Sequence, residues 1–169
     1  MIPKVSIIIT AHNYAKYLSC AIDSAVNQNY DSFEVIVVND GSTDHTDEIL
    51  ATYRGRIKVV RLTGVGLAKA CNEGIARSTG EFLIRLDADD YFDENILLVL
   101  ANFLDRNPNI HLVYPDYYET DAYGEVLRLR RYRKINREVK LLDRRPLAAG
   151  AMFRRSCYET IGGYREELK

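Results

Sequence analysis

An α/β domain built on a mainly parallel sheet, with helices on both faces, is the fold this sequence predicts. Three observations carry that reading. Apolar, β-branched runs of strand length alternate four times with helical patterns over residues 5–108. The strand runs are continuous rather than alternating, as strands buried on both faces require. Two of them end abruptly in polar, acidic turns. An open α/β sheet presents its ligands there, outside the carboxyl ends of its strands.

The elements follow in order. VSIIIT (residues 5–10) is the first strand, and a polar loop at 11–13 leads into a helix marked by Leu18, Ile22 and Val26. FEVIVVND (33–40) is the second strand and ends in a turn at Gly41. The helix beyond takes Ser42 or Thr43 as its cap and carries Asp44, Asp47 and Glu48 near its positive end. IKVVRL (57–62) is the third strand, followed by a helix over about 67–77. EFLIRL (81–86) is the fourth, and the next helix covers 95–103 and closes near Pro108. Past that point the pattern changes. HLVYPDYY (111–118) and EVLRLRRY (125–132) flank Asp121-Ala122-Tyr123-Gly124, which reads as a hairpin turn. Val126, Arg128 and Arg130 alternate with Leu127 and Leu129, predicting one wet and one buried face. AAGAMFRR (148–155) reads as a short strand, and SCYETIGGY (156–164) as a helix stopped by Gly162-Gly163. The result is one domain, with residues 1–107 forming a nucleotide-binding half and 108–169 a decorated half facing another substrate.

Composition is that of a globular protein: 169 residues, 47% hydrophobic, 28% charged, net charge −1. The three cysteines, Cys20, Cys71 and Cys157, are far apart and lack C-x-x-C spacing, which points to a reducing compartment and away from a zinc site. No apolar run approaches a membrane span, and the first residues do not form a signal peptide. The chain is therefore expected in the cytoplasm. Charge is uneven, however. Residues 128–145 hold nine Lys/Arg against two acids, a balance of +7 that leaves −8 elsewhere. Such a run is either a solvated face or a contact for phosphate groups or an anionic membrane, here the inner face.

The chemistry concentrates in LDADD (86–90). In extended backbone Asp87 and Asp89 point the same way, and two carboxylates together repel unless a cation sits between them. Hard oxygen ligands at a strand end suit Mg²⁺ or Mn²⁺. The competing reading is that Asp89, Asp90 and Asp93 cap the helix beginning near Glu94. A dinucleotide fingerprint would follow the first strand, but Ala11-His12-Asn13-Tyr14 stands there without a glycine. Gly64-Val65-Gly66 opens a helix instead, with Lys69 at the third position, and a P-loop is absent. Phosphate handling therefore falls mainly to a cation held by Asp87 and Asp89. His12, His45 and His111 are scattered and read as structural or exposed. Tyr114, Tyr117 and Tyr118 read as packing, with sugar stacking as the alternative.

Three blocks, VSIIITAHNYAKYLSCAIDSAVNQ, FEVIVVNDGSTDHTDEIL and GLAKACNEGIARSTGEFLIRLDADD, resemble the family 2 inverting glycosyltransferases of GT-A fold, in that family's order and spacing. The likeness runs from Val5 to about Tyr164. It implies a nucleotide-diphosphate sugar donor, a UDP-sugar first, lying across the strand ends, and a glycan, lipid-linked or other hydroxyl acceptor, with no nucleic acid. Thr10, Ala11 and Asn13 would pack against the nucleoside. Asp40, in the turn with Gly41 and Ser42, would hydrogen-bond the base or ribose. The alternative for Asp40 is an Asx-turn within its own loop. Lys69 matches a basic position beside the nucleotide, or else is a solvated helix lysine. Before Asn72 the family more often carries Arg, and here Cys71 stands. Asp87, next to Ala88, would face the ribose or the metal, and Asp89 would coordinate Mg²⁺ or Mn²⁺. The resemblance further implies inversion and a general base, an Asp expected beyond Lys169, the last residue of this chain. The domain is accordingly expected to be shortened at its C-terminus and to bind donor but transfer slowly, with Glu166 and Glu167 as weak base candidates. The segment from 148 onward is expected to be loosely held. Two rivals remain: a sugar-nucleotide pyrophosphorylase, whose Gly-rich first loop is missing, and a non-catalytic nucleotide-sugar-binding module.

Overall fold

The structure, a computed structural model, describes residues 4–131 and 150–167. Its first eight elements are those of the sequence reading: β1 (Val5–Ala11), α1 (Ala15–Val26), β2 (Phe33–Asp40), α2 (Thr46–Thr52), β3 (Lys58–Leu62), α3 (Leu67–Ala76), β4 (Phe82–Asp87) and α4 (Ile96–Arg106). After them come β5 (Leu112–Val113), β6 (Tyr117–Thr120), β7 (Val126–Arg130), β8 (Met152–Arg154) and α5 (Arg155–Ile161).

Six strands form the central sheet in the order β3-β2-β1-β4-β8-β5. β1 through β4 pair in parallel, and β8 runs antiparallel between β4 and β5. The chain lays β2 and β3 on one side of β1, then crosses to place β4 on the other. The strand order thus reverses at β1 and β4, and α/β sheets bind ligands outside the carboxyl ends of their strands at such a point.

Because side chains alternate along a strand, each buried strand feeds two cores. Val5, Ile7 and Ile9 of β1, with Phe82, Ile84 and Leu86 of β4, build one cluster with α1, α2 and α4. Ile8, Ile36, Val38 and Leu83 build the other, under α3. The helices bury single stripes: Leu18, Ala21, Ile22 and Ala25 in α1, and Leu97, Leu100, Ala101 and Leu104 in α4. Each large side chain so buried contributes about 1.5–3 kcal/mol. Gly74 is why α3 lies so close to the sheet: a Cβ there would stand 2.6 Å from Ile8 Cγ2 and 2.9 Å from Val38 Cγ2.

At the opposite end of the sheet Glu34 is nearly covered, with 9% of its side chain exposed. It accepts from Ser6 Oγ at 2.7 Å, the Thr79 N–H at 2.6 Å and Lys58 Nζ at 2.6 Å. Burial alone would raise its pKa. Lys58, the Thr79 amide and the hydroxyls of Ser6 and Thr79 outweigh that and hold it below the ordinary 4.5.

Several expectations change in the second half. HLVYPDYY is not one strand: it splits at Pro115 into β5, in the main sheet, and β6, which pairs with β7 in a separate hairpin. The anticipated buried face of β7 is not formed among the described residues, since Leu127 is 65% and Leu129 40% exposed. No described element covers them. Tyr118, read as packing, is likewise 62% exposed. The segment expected to be loose is instead tied down from residue 150. Met152 is fully buried, and Arg154 Nη2 donates to the Leu104 carbonyl at 2.7 Å. Arg155 Nε donates to the Gly80 carbonyl at 2.7 Å and its Nη2 to Ser78 Oγ at 2.7 Å. These arginines satisfy carbonyls at helix and strand ends, which a sequence pattern does not reveal. Gly162 does stop α5, in the left-handed conformation at φ 92°.

Candidate functional site

The strand-end residues singled out in the sequence converge. Thr10 stands directly across from Asp87 in the β1–β4 ladder, and Ala11 across from Asn39 in the β1–β2 ladder. Three adjacent strands thus deliver Thr10, Ala11, Asp40 and Asp87 to one rim.

Side chains lace the loops of that rim together. Asn13 has φ 60°, the one non-glycine positive φ among the described residues. Its N–H donates to Ser42 Oγ at 3.0 Å, and its Oδ1 accepts from the Thr43 N–H at 2.8 Å. Both candidate caps of α2 are therefore engaged elsewhere. Asp44 accepts the Thr46 N–H at 3.1 Å instead, and α2 begins at Thr46. The Ser42 N–H in turn reaches Asn39 Oδ1 at 2.9 Å, so Asn39, not Asp40, makes the Asx-type turn.

Asp40 does something the sequence did not announce. Its carboxylate accepts three backbone amides from the loop before α3: Gly64 at 3.0 Å and Val65 at 2.7 Å on Oδ1, and Gly66 at 2.8 Å on Oδ2. A carboxylate has about four acceptor positions, which leaves one for another donor. The loop lies close: a Cβ on Gly41 would stand 2.8 Å from the Gly64 nitrogen. His12 completes the corner, with Nδ1 2.6 Å from the Asp40 carbonyl oxygen, a structural role. His45 and His111 are not in the site. Lys69 is exposed in the first turn of α3.

The acidic turn follows β4. Ala88 is 3% exposed, whereas Asp89 and Asp90 are exposed residues. Asp87 Oδ2 pairs with Arg85 Nη2 at 3.2 Å. Burial raises the Asp87 carboxyl above its ordinary value, Arg85 opposes this, and Asp89 adds to it. Asp90, although open as a residue, is pushed up to about 6 by desolvation of its carboxyl and by the charges of Asp87 and Asp89. Carboxylates crowded in this way are stabilised by a cation. Among the described residues no three His, Cys, Asp or Glu side chains form a metal cage. The crowding of Asp87, Asp89 and Asp90 is compatible in charge with an ion that takes one or two carboxylates and fills its shell with water and phosphate, as Mg²⁺ and Mn²⁺ do. Of the three candidate caps of α4 only Asp93 takes that role, accepting the Asn95 N–H at 2.9 Å, and Gln28 Oε1 accepts the Leu97 N–H at 3.2 Å.

Sequence reasoning missed Arg85 and Asn72. Asn72 binds the C-terminal segment: its Oδ1 accepts from Tyr158 Oη at 2.8 Å and the Tyr164 N–H at 2.9 Å. Its Nδ2 donates to the Tyr164 carbonyl at 2.9 Å and to Glu166 Oε1 at 3.0 Å. Arg85 had a visible signal, a charge inside an apolar strand run, whereas Asn72 had none. The described residues end at Glu167, so the expectation of a base beyond Lys169, and Lys169 itself, lie outside them.

The family model of glycosyl transferase family 2 matches residues 6–162. The chain is 38% identical over 130 residues to the chondroitin synthase of Pasteurella multocida (strain Pm70), a match of 75% of this chain and 13% of that protein. It is 36% identical over 126 residues to an uncharacterized glycosyltransferase of Rickettsia bellii (strain RML369-C), covering 73% and 18%. The chain thus spans only a fraction of these relatives. The crystal structure of S. aureus TarS 1-349 superposes with a TM-score of 0.78 at 29% identity, over 98% of this chain and 51% of that one. TarS has also been solved in complex with UDP and with UDP-GlcNAc. The mostly parallel sheet with its added hairpin is the GT-A fold, and this chain belongs to glycosyl transferase family 2.

Proposed function

We propose that this chain binds a nucleotide-diphosphate sugar across the carboxyl ends of β1, β2 and β4, and that its domain transfers the sugar to an acceptor hydroxyl with inversion. The observation that carries the reading is the juxtaposition of Thr10 with Asp87 at the switch point of the sheet, beside the loop gathered by Asp40. UDP is the first nucleotide to test, supported by the TarS complexes.

In this reading Thr10, Ala11 and Asn13 form the floor under the nucleoside. Asp40 offers its remaining acceptor position to a base or ribose donor, with Gly41 and Ser42 shaping the turn. Lys69 stands at the opening of α3 beside the nucleotide. Asp87 and Asp89 would hold Mg²⁺ or Mn²⁺. When bound, such an ion supplies positive charge to the leaving diphosphate, an attraction stronger in the transition state than in the ground state. The acceptor oxygen bonds to the anomeric carbon while the bond from that carbon to the phosphate oxygen breaks. The electron pair leaves on the nucleotide diphosphate, and the hydroxyl proton passes to a general base. Glu166 and Glu167 are the first positions to test for that base, although Glu166 is already bonded to Asn72. Contact with an anionic membrane surface through residues 128–145 is part of the proposal. Residues 132–145 of that run lie outside the described residues. Glu119 already pairs with Arg128 and, at 2.6 Å, with Arg130.

Titration calorimetry with UDP in the presence of Mn²⁺ tests the reading. Asp89→Asn should weaken binding by about 1–3 kcal/mol, the scale of losing a charged partner. Wild-type affinity that is the same in Mn²⁺ and in excess chelator would overturn the metal assignment.

A further inference from the structure

Arg85 is a charge set in a strand that is otherwise core. Phe82, Leu83, Ile84 and Leu86 around it are each at most 1% exposed, and its Cα faces Ile8 of β1. A cation left unpaired in such surroundings costs several kcal/mol, so its placement calls for a reason. Alternation along β4 puts Arg85 on the same face as Asp87. There it lines a small cavity together with Cys71, Ile75 and Tyr164, and its side chain interacts with the Cys71 thiol. The side chain runs toward the strand end, where Nη2 meets Asp87 Oδ2 at 3.2 Å. The guanidinium therefore stands level with the strand-end carboxylates, and 20% of the side chain is open. Among the described residues Asp87 is its one acidic partner, through a single contact. A guanidinium has five N–H donors in a planar fork suited to paired phosphate oxygens, so most of its capacity is not spent on Asp87.

We propose that Arg85 is a second cationic contact for the donor's diphosphate, supplied by the chain itself beside Asp87 and Asp89, and that it sustains nucleotide-diphosphate binding when no divalent ion is present. The proposal rests on the nucleotide-sugar reading above. Without an ion, Asp87, Asp89 and Asp90 would repel a diphosphate. A fixed guanidinium among them offsets that repulsion and gives the phosphates a geometric partner.

The test is calorimetry with UDP and with inorganic pyrophosphate, each in excess chelator and in Mn²⁺, on the wild type, Arg85→Gln and Arg85→Lys. Arg77→Gln is the control, since Arg77 pairs with Glu73 on the outer side of α3. The wild type and the control should bind both ligands in chelator, more weakly than in Mn²⁺. Arg85→Gln should lower the affinity in chelator by about ten-fold or more, and by a smaller factor in Mn²⁺. Arg85→Lys keeps the charge without the fork and should fall between; it carries the test if the glutamine variant melts early. Wild-type binding of UDP in Mn²⁺ with no pyrophosphate binding in chelator would overturn the role of Arg85 alone. So would Arg85→Gln or Arg85→Lys affinities in chelator equal to wild type. Absence of UDP binding under both conditions would overturn the nucleotide-sugar reading itself.

Discussion

Replacing Asp40 with alanine separates a structural carboxylate from a purely ligand-reading one. Its two oxygens hold the amides of Gly64, Val65 and Gly66, and so position the loop that leads into α3. Hydrogen bonds to a charged acceptor contribute about 1.5–3 kcal/mol each when the donor has no substitute. Gly64 and Gly66 are exposed, so water replaces part of what is lost, and the loss per bond falls below that range. A loss near 1 kcal/mol per bond gives ~3 kcal/mol for the three, a large share of an ordinary domain's stability. In a chain of this length that corresponds to a fall in Tm of roughly 6–12 °C. Thermal unfolding of the unliganded variant, followed by circular dichroism, reads it directly. UDP affinity alone would not discriminate, because a displaced loop and a lost base contact both weaken binding. A melting temperature within about 2 °C of wild type would refute the reasoning, since three amides cannot lose such an acceptor at no cost.

Two further outcomes follow from particular contacts. Glu34 has a folded pKa held below the ordinary 4.5, so its contribution is present above that pH and is lost as pH falls through the folded value. Glu34→Gln should therefore flatten the acid limb of stability measured by urea unfolding. An unchanged loss between neutral pH and about pH 3 would refute the assignment of that limb to Glu34. If the basic run meets a membrane, replacing Arg130, Arg131 and Arg133 with glutamine should reduce binding to anionic vesicles, and added salt should reduce wild-type binding likewise. Vesicle binding that is equal in variant and wild type would leave residues 128–145 as a solvated face.

Much of the first half was legible because its signals are local. Continuous apolar runs such as VSIIIT can be buried only with both faces covered, and the stripes of α1 and α4 leave one orientation for each helix. The second half was less legible because its patterns are short. Pro115 divides what reads as one strand, and the alternation of β7 carried no information about whether anything covers it. Within the site, Asp87 and Asp89 announced themselves by spacing. The partners of Asp40, by contrast, lie 24 to 26 residues away in sequence.

Residues read along the chain were enough for the eight alternating elements, the acidic turn after β4 and the family to which the blocks belong. The three-dimensional structure alone set β4 beside β1 rather than β3, which places Asp87 across from Thr10. It alone decided that β8 returns antiparallel along β4, that Asn72 fastens the last described residues, and that Arg85 meets Asp87 at the rim. The division has a physical cause. Strands and helices are selected by period and propensity over a few residues. Pairing order and buried polar contacts are selected by which distant surfaces fit, and a pattern read along the chain does not carry that information.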